Sequence, residues 1–426
     1  MKIGTYYQAT RREPAEHQPL LSDTRASVVV VGGGYAGLAT ALGLAERGVS
    51  DVLLLESESI GFGASGRNGG FVFGGYSLGE ASLRAEVGAD TAQWMYGLTR
   101  TAVSTIRTRI DRYAIQCDPV DAGVIWANWF KDPSLLTERQ ALLREHFGVN
   151  WSTLSPEQLR AQLNTPRYHG GLFEAEAFHV HPLNLALGMA RAAQGGGVRV
   201  HGASPVTRIE KTGAGWRVHC PGGAIDTETV VVAGGGYLGR LVPTLQRALL
   251  PIATYVAVTE PLGDRLDESI RTRAAVYDTR FAFDYYRALP DTRLLWGGRI
   301  SILNRSPQAV AHLLKADIKR VYPQLGEFEV DYAWSGLMSY ARHEMPQLGM
   351  LEPGLWYAQA FGGHGVATTT AMGELLAQGI AGENEDWRRF SPFGLSRTWR
   401  PFGFLGAQAT YSWLQARDSW KDWRER

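Results

Sequence analysis

Ser27 to Val31 (SVVVV) is an unbroken apolar, β-branched run, the pattern of a strand buried on both faces. It runs straight into Gly32-Gly33-Gly34-Tyr35-Ala36-Gly37, and Leu38 to Arg47 continues as a helix. A second apolar run, Val52 to Leu55, predicts a neighbouring strand and ends in Glu56. From Asp90 to Tyr113, Met95, Leu98, Ala102, Ile106, Ile110 and Tyr113 recur at steps of 3, 4, 4, 4 and 3, the period of one core-facing helix stripe. Gly123 to Ala127 reads as a strand, Pro133 to Phe147 as a helix, and Ser155-Pro156 as a capped helix start. A helix follows His181-Pro182 and stops at Gly195-Gly196-Gly197, and short strands follow at 198–201, 206–210, 216–220 and 229–233.

Beyond Pro251 the pattern changes. Strands rich in Tyr, Trp and Val are predicted at 251–260, 280–288, 293–299 and 327–334, with a helix at 306–322, which together read as an antiparallel sheet. Leu355 to Ala360 then meets Phe361-Gly362-Gly363-His364-Gly365 and a small-residue helix from Val366 to Ile380, repeating the strand, glycine turn and helix of the N-terminal region. The fold class is therefore α/β, α+β overall, with a Rossmann-like domain that is discontinuous in sequence. The expected division is an N-terminal arm at 1–26, a cofactor domain from 27–115, 170–250 and 345–382, a substrate domain from 116–169 and 251–344, and a Trp-rich tail at 383–426.

Composition narrows the class. Hydrophobic residues are 45% and charged residues 20%, which excludes global disorder, and 43 basic against 42 acidic residues leave no cationic footprint for nucleic acid. Two distant cysteines, Cys117 and Cys220, build neither a disulfide framework nor a thiolate zinc site. No run approaches the roughly 20 apolar residues of a membrane span. A cytoplasmic protein is expected. The 50 glycines cluster in short runs, which marks backbone kept bare for a ligand.

Glycines in a turn between strand and helix let a pyrophosphate approach the backbone, and the helix N-terminus supplies N–H groups and positive dipole. Glu56, 19 residues after Gly37, stands where the dinucleotide fingerprint expects a carboxylate for the ribose diol, which favours FAD or NAD over NADP. The bare loop Gly61-Phe62-Gly63-Ala64-Ser65-Gly66-Arg67-Asn68-Gly69-Gly70 is longer than an adenosine half needs and fits a flavin. A second match, Gly234 to Gly239, lacks the following helix because Pro243 interrupts it, so it is read as a loop closing over the first cofactor. His179 and His181 share a strand face without a carboxylate or cysteine at ligand spacing, so no metal is expected. The tail carries Trp399, Trp413, Trp420 and Trp423 among basic residues. It is read as packed onto the protein surface, with membrane contact as the alternative.

The segments VVGGGYAGL, IGFGASGRNGG, HVHPLNLALG, DYYR, LLWGGR, MPQLG and GGHGV together resemble the FAD-dependent amine and amino-acid oxidases of the D-amino-acid oxidase and glycine oxidase group, from about Tyr6 to the tail. The resemblance implies non-covalent FAD held by Gly32, Gly34, Tyr35, Ala36, Gly37, Glu56, Ser57, Gly63, Ala64, Ser65, Arg67, Asn68, Gly69, Gly70, Val206, Gly234, Gly363, His364, Gly365 and Val366. The implied catalytic wall is His364, Tyr286, Arg287 and Trp334, with Tyr285, Trp296, Arg299 and Arg342 as further wall candidates; alternation leaves open which strand face meets the flavin. The implied reaction oxidises a primary or secondary amine of the γ-glutamyl diamine kind, with O2 as acceptor and H2O2 as product. A cyclic or N-methyl amino acid such as pipecolate or sarcosine is the alternative substrate. Leu295 stands where some relatives carry an oxygen-assisting Lys, which leaves a quinone acceptor, or flavin binding without turnover, as further alternatives.

Overall fold

The computed structural model describes residues 1–426 apart from Ala214, Pro401 and Arg426. The valine run becomes the strand Thr24–Val31, three residues longer at its start than its apolar stretch, at the centre of the first sheet. Strand order across that sheet is Gln347–Glu352, Leu355–Gln359, Gly223–Val232, Thr24–Val31, Val52–Leu55 and Arg199–His201, with the ribbon Arg208–Lys211 and Trp216–Cys220 attached to Gly223–Val232. The central pairings are parallel. Val31 lies opposite Leu55 on one side and Val232 on the other, so the chain leaves all three strands at one edge. Gly32, Glu56 and Ala233 emerge there together, which is where open α/β sheets bind ligands.

Helices Tyr35–Glu46, Pro182–Gly195 and Gly365–Ile380 bury Leu38, Leu42, Leu185, Met372 and Leu376 in one core with the even face of the central strand. Arg109, at 3% side-chain exposure, reaches from the long helix Ala89–Arg112 to Glu46 and Glu374 and ties two of these helices together.

The second sheet has the order Val330–Tyr340, Leu250–Thr259, Leu294–Ser301, Tyr285–Ala288, Ala275–Asp278, Val124–Ala127, Gly171–Glu174 and Ser152–Leu154. Its pairings are antiparallel except between Ala275–Asp278 and Val124–Ala127, which run parallel because the chain crosses over through the first domain between them. Gly171–Glu174, expected with the cofactor segment 170–250, pairs instead with Val124–Ala127. The strand expected at 280–288 is only Tyr285–Ala288, because Arg280 bonds both Asp278 and Asp284 and closes a turn ahead of it. Helix Pro307–Val321 covers the back of this sheet with Val310, Leu314, Ile318 and Val321, and full burial of such side chains contributes roughly 1.5–3 kcal/mol each. The opposite face of the sheet looks toward the first domain.

Candidate active site

Between the two sheets lies a cavity of about 1540 Å³. That exceeds the roughly 300–1,000 Å³ of a drug-sized pocket and leaves room for a dinucleotide beside a substrate. Its nucleotide end is the first glycine turn. Gly32 adopts a φ of +118°, and a Cβ on Gly37 would fall 1.9 Å from the Gly32 carbonyl oxygen, so the turn closes only with glycine there. Helix Tyr35–Glu46 starts at Gly34 without a side-chain cap on that residue. Glu56 accepts from Gly33 N at 2.7 Å and from Ser57 Oγ and Glu58 N at 3.0 Å, so the turn and the second strand are locked in register. Gly32, Gly34, Tyr35, Ala36, Glu56 and Ser57 line the cavity; Gly37 supports the turn from behind.

The second bare loop forms the adjoining wall, with Gly63, Ala64, Ser65, Arg67, Asn68 and Gly69 on the cavity. Asn68 is its internal brace, donating to the Ala64 and Ser65 carbonyls and accepting from Gly70 N. Ser65 Oγ accepts from Tyr35 N at 2.9 Å and joins this loop to the first turn. Gly234 to Tyr237 cover the cavity as a single helical turn, and Tyr237 meets Phe62 edge to face. No long helix follows Gly239, since the next element is only Pro243–Arg247. Val206 packs against the outer core of the first sheet, away from the cavity lining, because the ribbon strand starts only at Arg208.

Three of the four expected catalytic side chains have other tasks. Tyr286 points to the back of the second sheet, stacked 4.3 Å from Trp296 and hydrogen-bonded to Tyr168 and Tyr322 in the core. Alternation puts Tyr285 and Arg287 on the opposite face, and only Tyr285 lines the cavity. Arg287, 4% exposed, donates to the Gly69 carbonyl at 2.8 Å and the Val180 carbonyl at 2.9 Å. Its donation to His179 Nδ1 at 3.2 Å leaves the His179 Nε2–H for the Arg273 carbonyl at 2.9 Å, and burial pushes this neutral imidazole down to about 3. Trp334 donates from Nε1 to the Arg67 carbonyl at 2.9 Å. Both residues therefore hold the loop rather than line the cavity. His181 caps helix Pro182–Gly195 by accepting from Asn184 N. Arg299 lines the cavity in an ion pair with Asp317, and Arg342 lines it too.

His364 does stand on the cavity with Gly363, Gly365 and Val366, at the start of helix Gly365–Ile380. Its ring edge meets Phe73 at 5.0 Å, and its sealed Nδ1 has no hydrogen-bond partner among the described residues. Burial, reinforced by Arg139, pushes it down to about 4, so it is neutral at physiological pH.

Beside it is a constellation that sequence reasoning missed. Phe71, Phe73, Tyr76, Trp126, Tyr277 and Tyr285 form an aromatic chamber, with Phe73 and Tyr277 stacked at 5.7 Å. Its polar end is Glu80, which accepts from Arg139 at 2.7 Å, with Arg139 also 4.5 Å over Trp126. Burial opposes the charge on Glu80, but Arg139 outweighs it and holds the carboxyl below its usual range. Of these only Tyr285 was a wall candidate from sequence; Phe71, Phe73 and Tyr76 lie just past the glycine loop, and Trp126, Tyr277, Glu80 and Arg139 come from two further strands and two helices without a shared motif.

Glu174 lies behind Arg139, and burial pushes it up to about 8 although Arg139 opposes the shift. Folding thus favours the protonated acid. Its contribution is intact below the ordinary value of 4.5 and is lost as pH rises through about 8. Glu174→Gln should remove this loss, so thermal melts at pH 5 and pH 9 should differ less in the variant than in the parent. An equal pH dependence in both proteins would refute the assignment.

The geometry so far is a glycine cradle for a dinucleotide facing an aromatic chamber across a substrate sheet. A family model described as "FAD dependent oxidoreductase" matches residues 27–379, and the chain belongs to that family. FAD is the family's cofactor, and the glycine turn, the bare loop and the unpartnered His364 Nδ1 fit such a group. The chain is 36% identical to the gamma-glutamylputrescine oxidoreductase of Escherichia coli (strain K12), over 96% of this chain and 97% of that one. It is 32% identical to the probable oxidoreductase OrdL of Haemophilus influenzae, over 90% and 89%. In fold it is similar to the glycine oxidase of Geobacillus kaustophilus, with a TM-score of 0.73, 21% identity, and 88% and 99% coverage. Among the described residues no helix is long and apolar enough to cross a membrane, and no group of His, Cys, Asp and Glu has metal-site geometry.

Proposed function

We propose that this enzyme is an amine oxidase whose donor is gamma-glutamylputrescine or a close γ-glutamyl amine. The carrying observation is the aromatic chamber that ends in the Glu80–Arg139 pair and adjoins His364. Bound FAD, held non-covalently, supplies the acceptor for the hydride on the carbon next to the amine nitrogen, and O2 takes the electrons on as H2O2. Everything else falls to the chain. Phe71, Phe73, Tyr277 and Tyr285 strip water from the amine, and burial favours its neutral form, the form that can lose hydride to give an imine. The imine then hydrolyses to an aldehyde. Arg139 offers a fork to a substrate carboxylate, and Glu80 accepts from an ammonium, so together they match the zwitterionic head of a γ-glutamyl group. His364, neutral and on the cavity wall at the helix start, adds no charge beside the bound group.

Arg139→Lys should raise KM for gamma-glutamylputrescine by about 10-fold or more while kcat changes little, because an ammonium does not reproduce the bidentate fork. Putrescine, which lacks the carboxylate, should be almost unaffected. The deciding assay is anaerobic: the yellow holoenzyme should bleach with gamma-glutamylputrescine and regain colour with H2O2 in air. Bleaching by pipecolate or sarcosine alone would move the assignment to an amino-acid oxidase.

A further inference from the structure

The tail helix Phe402–Glu425 is amphipathic in the inverted sense. At about 100° per residue, Phe402, Leu405, Trp413, Trp420 and Trp423 fall within about 80° of arc, and Tyr411, Asp418 and Asp422 centre on the opposite side. The polar side faces inward. Asp418 accepts from Phe281 N at 2.7 Å, Asp422 pairs with Arg167 and Arg320, Tyr411 accepts from Ile300 N at 3.0 Å, and Glu425 accepts from Lys131 N at 2.6 Å. The apolar side faces out, with Phe402 75%, Leu405 62%, Trp413 64%, Trp420 57% and Trp423 70% exposed. Arg417 and Arg424 occupy the flank next to the stripe, over Trp413 and Trp420, while Lys421 turns to the body over the Phe130 ring.

We propose that this outer face docks on an anionic lipid bilayer surface. Every acid of the described helix is turned into the body and bonded there, which leaves an outward face of tryptophan and cation. That pairing suits the membrane interface, where indole rings sit at headgroup depth and Arg and Lys meet anionic lipid. A second copy of the chain suits it poorly, because a two-fold contact would press the same arginine flanks together. Trp399 and Phe402, near the start of the tail helix, also line the cavity, so this end of the docking face adjoins it.

The test uses the full-length holoenzyme with vesicles of phosphatidylcholine alone or mixed with phosphatidylglycerol. Co-sedimentation should be at least about 10-fold stronger with the anionic vesicles and should fall at high salt. Trp413→Ser/Trp420→Ser/Trp423→Ser should lose that binding about 10-fold while flavin absorbance and turnover in vesicle-free buffer stay unchanged. Brominated lipid should quench the parent's tryptophan emission more strongly than the triple variant's. Absence of pelleting, or equal pelleting with both lipids, would overturn the proposal. So would a concentration-dependent dimer, seen by light scattering and abolished by the same substitutions.

Discussion

Gly37→Ala should purify as a folded but nearly colourless protein. The added Cβ would lie 1.9 Å from the Gly32 oxygen and 3.1 Å from its carbonyl carbon, so relief requires the turn itself to move. Gly32 sits at φ +118° beside the Gly33 N to Glu56 bond, and a displaced turn no longer presents its backbone to the pyrophosphate. Overpacking of this kind costs about 1–3 kcal/mol, which corresponds to FAD affinity falling by about 10- to 100-fold. The ratio of absorbance at flavin and protein wavelengths, followed by titration with FAD, measures it. Gly97→Ala is the control, since a Cβ there meets nothing within 4 Å, and it should keep its full flavin content. Full flavin in Gly37→Ala would remove the first turn from the cofactor site.

Arg287→Lys should lower stability and loosen FAD without slowing the chemistry of the flavin-loaded fraction. The guanidinium holds two backbone carbonyls and His179 at once, and a lysine reaches one partner while leaving the others buried and unpaired. Breaking a buried charged network costs about 3–5 kcal/mol, which at this chain length corresponds to a melting point lower by roughly 3–6 °C. Rapid reduction of FAD-saturated variant by substrate separates the roles. A rate within a few-fold of the parent supports loop holding, whereas a loss of about 100-fold or more would return Arg287 to the chemistry.

The cofactor half was legible from sequence because its information is local. A strand, a turn that tolerates only glycine and a helix start are consecutive, and Glu56 follows at the end of the neighbouring strand. Within the loop 61–70, Gly63 and Gly69 stand on the cavity while Gly70, expected there, does not line it, and Gly363 to Val366 line it as a continuous stretch. Tyr286, Arg287 and Trp334 show where such reading stops. Period-two alternation states that Tyr285 and Arg287 share a face, but the choice of face depends on which sheet side the helix Pro307–Val321 covers. Aromatic and cationic composition alone does not separate a reacting group from one that holds a loop by its carbonyls.

The sequence by itself determined the glycine cradle and the two-sheet architecture, because these rest on short-range backbone geometry and on periodicities of 2 and 3.6 residues, and the FAD family was legible through the resemblance of its motifs. Only the tertiary structure decided that Glu80 and Arg139 close an aromatic chamber, since they come from helices 59 residues apart and meet over Trp126 from a third element. It also decided that the tail turns its tryptophans outward. Arg167 and Arg320, distant in sequence and gathered beneath the helix, draw in Asp422, and ion pairing on that side fixes the rotation that burial of indole would have reversed.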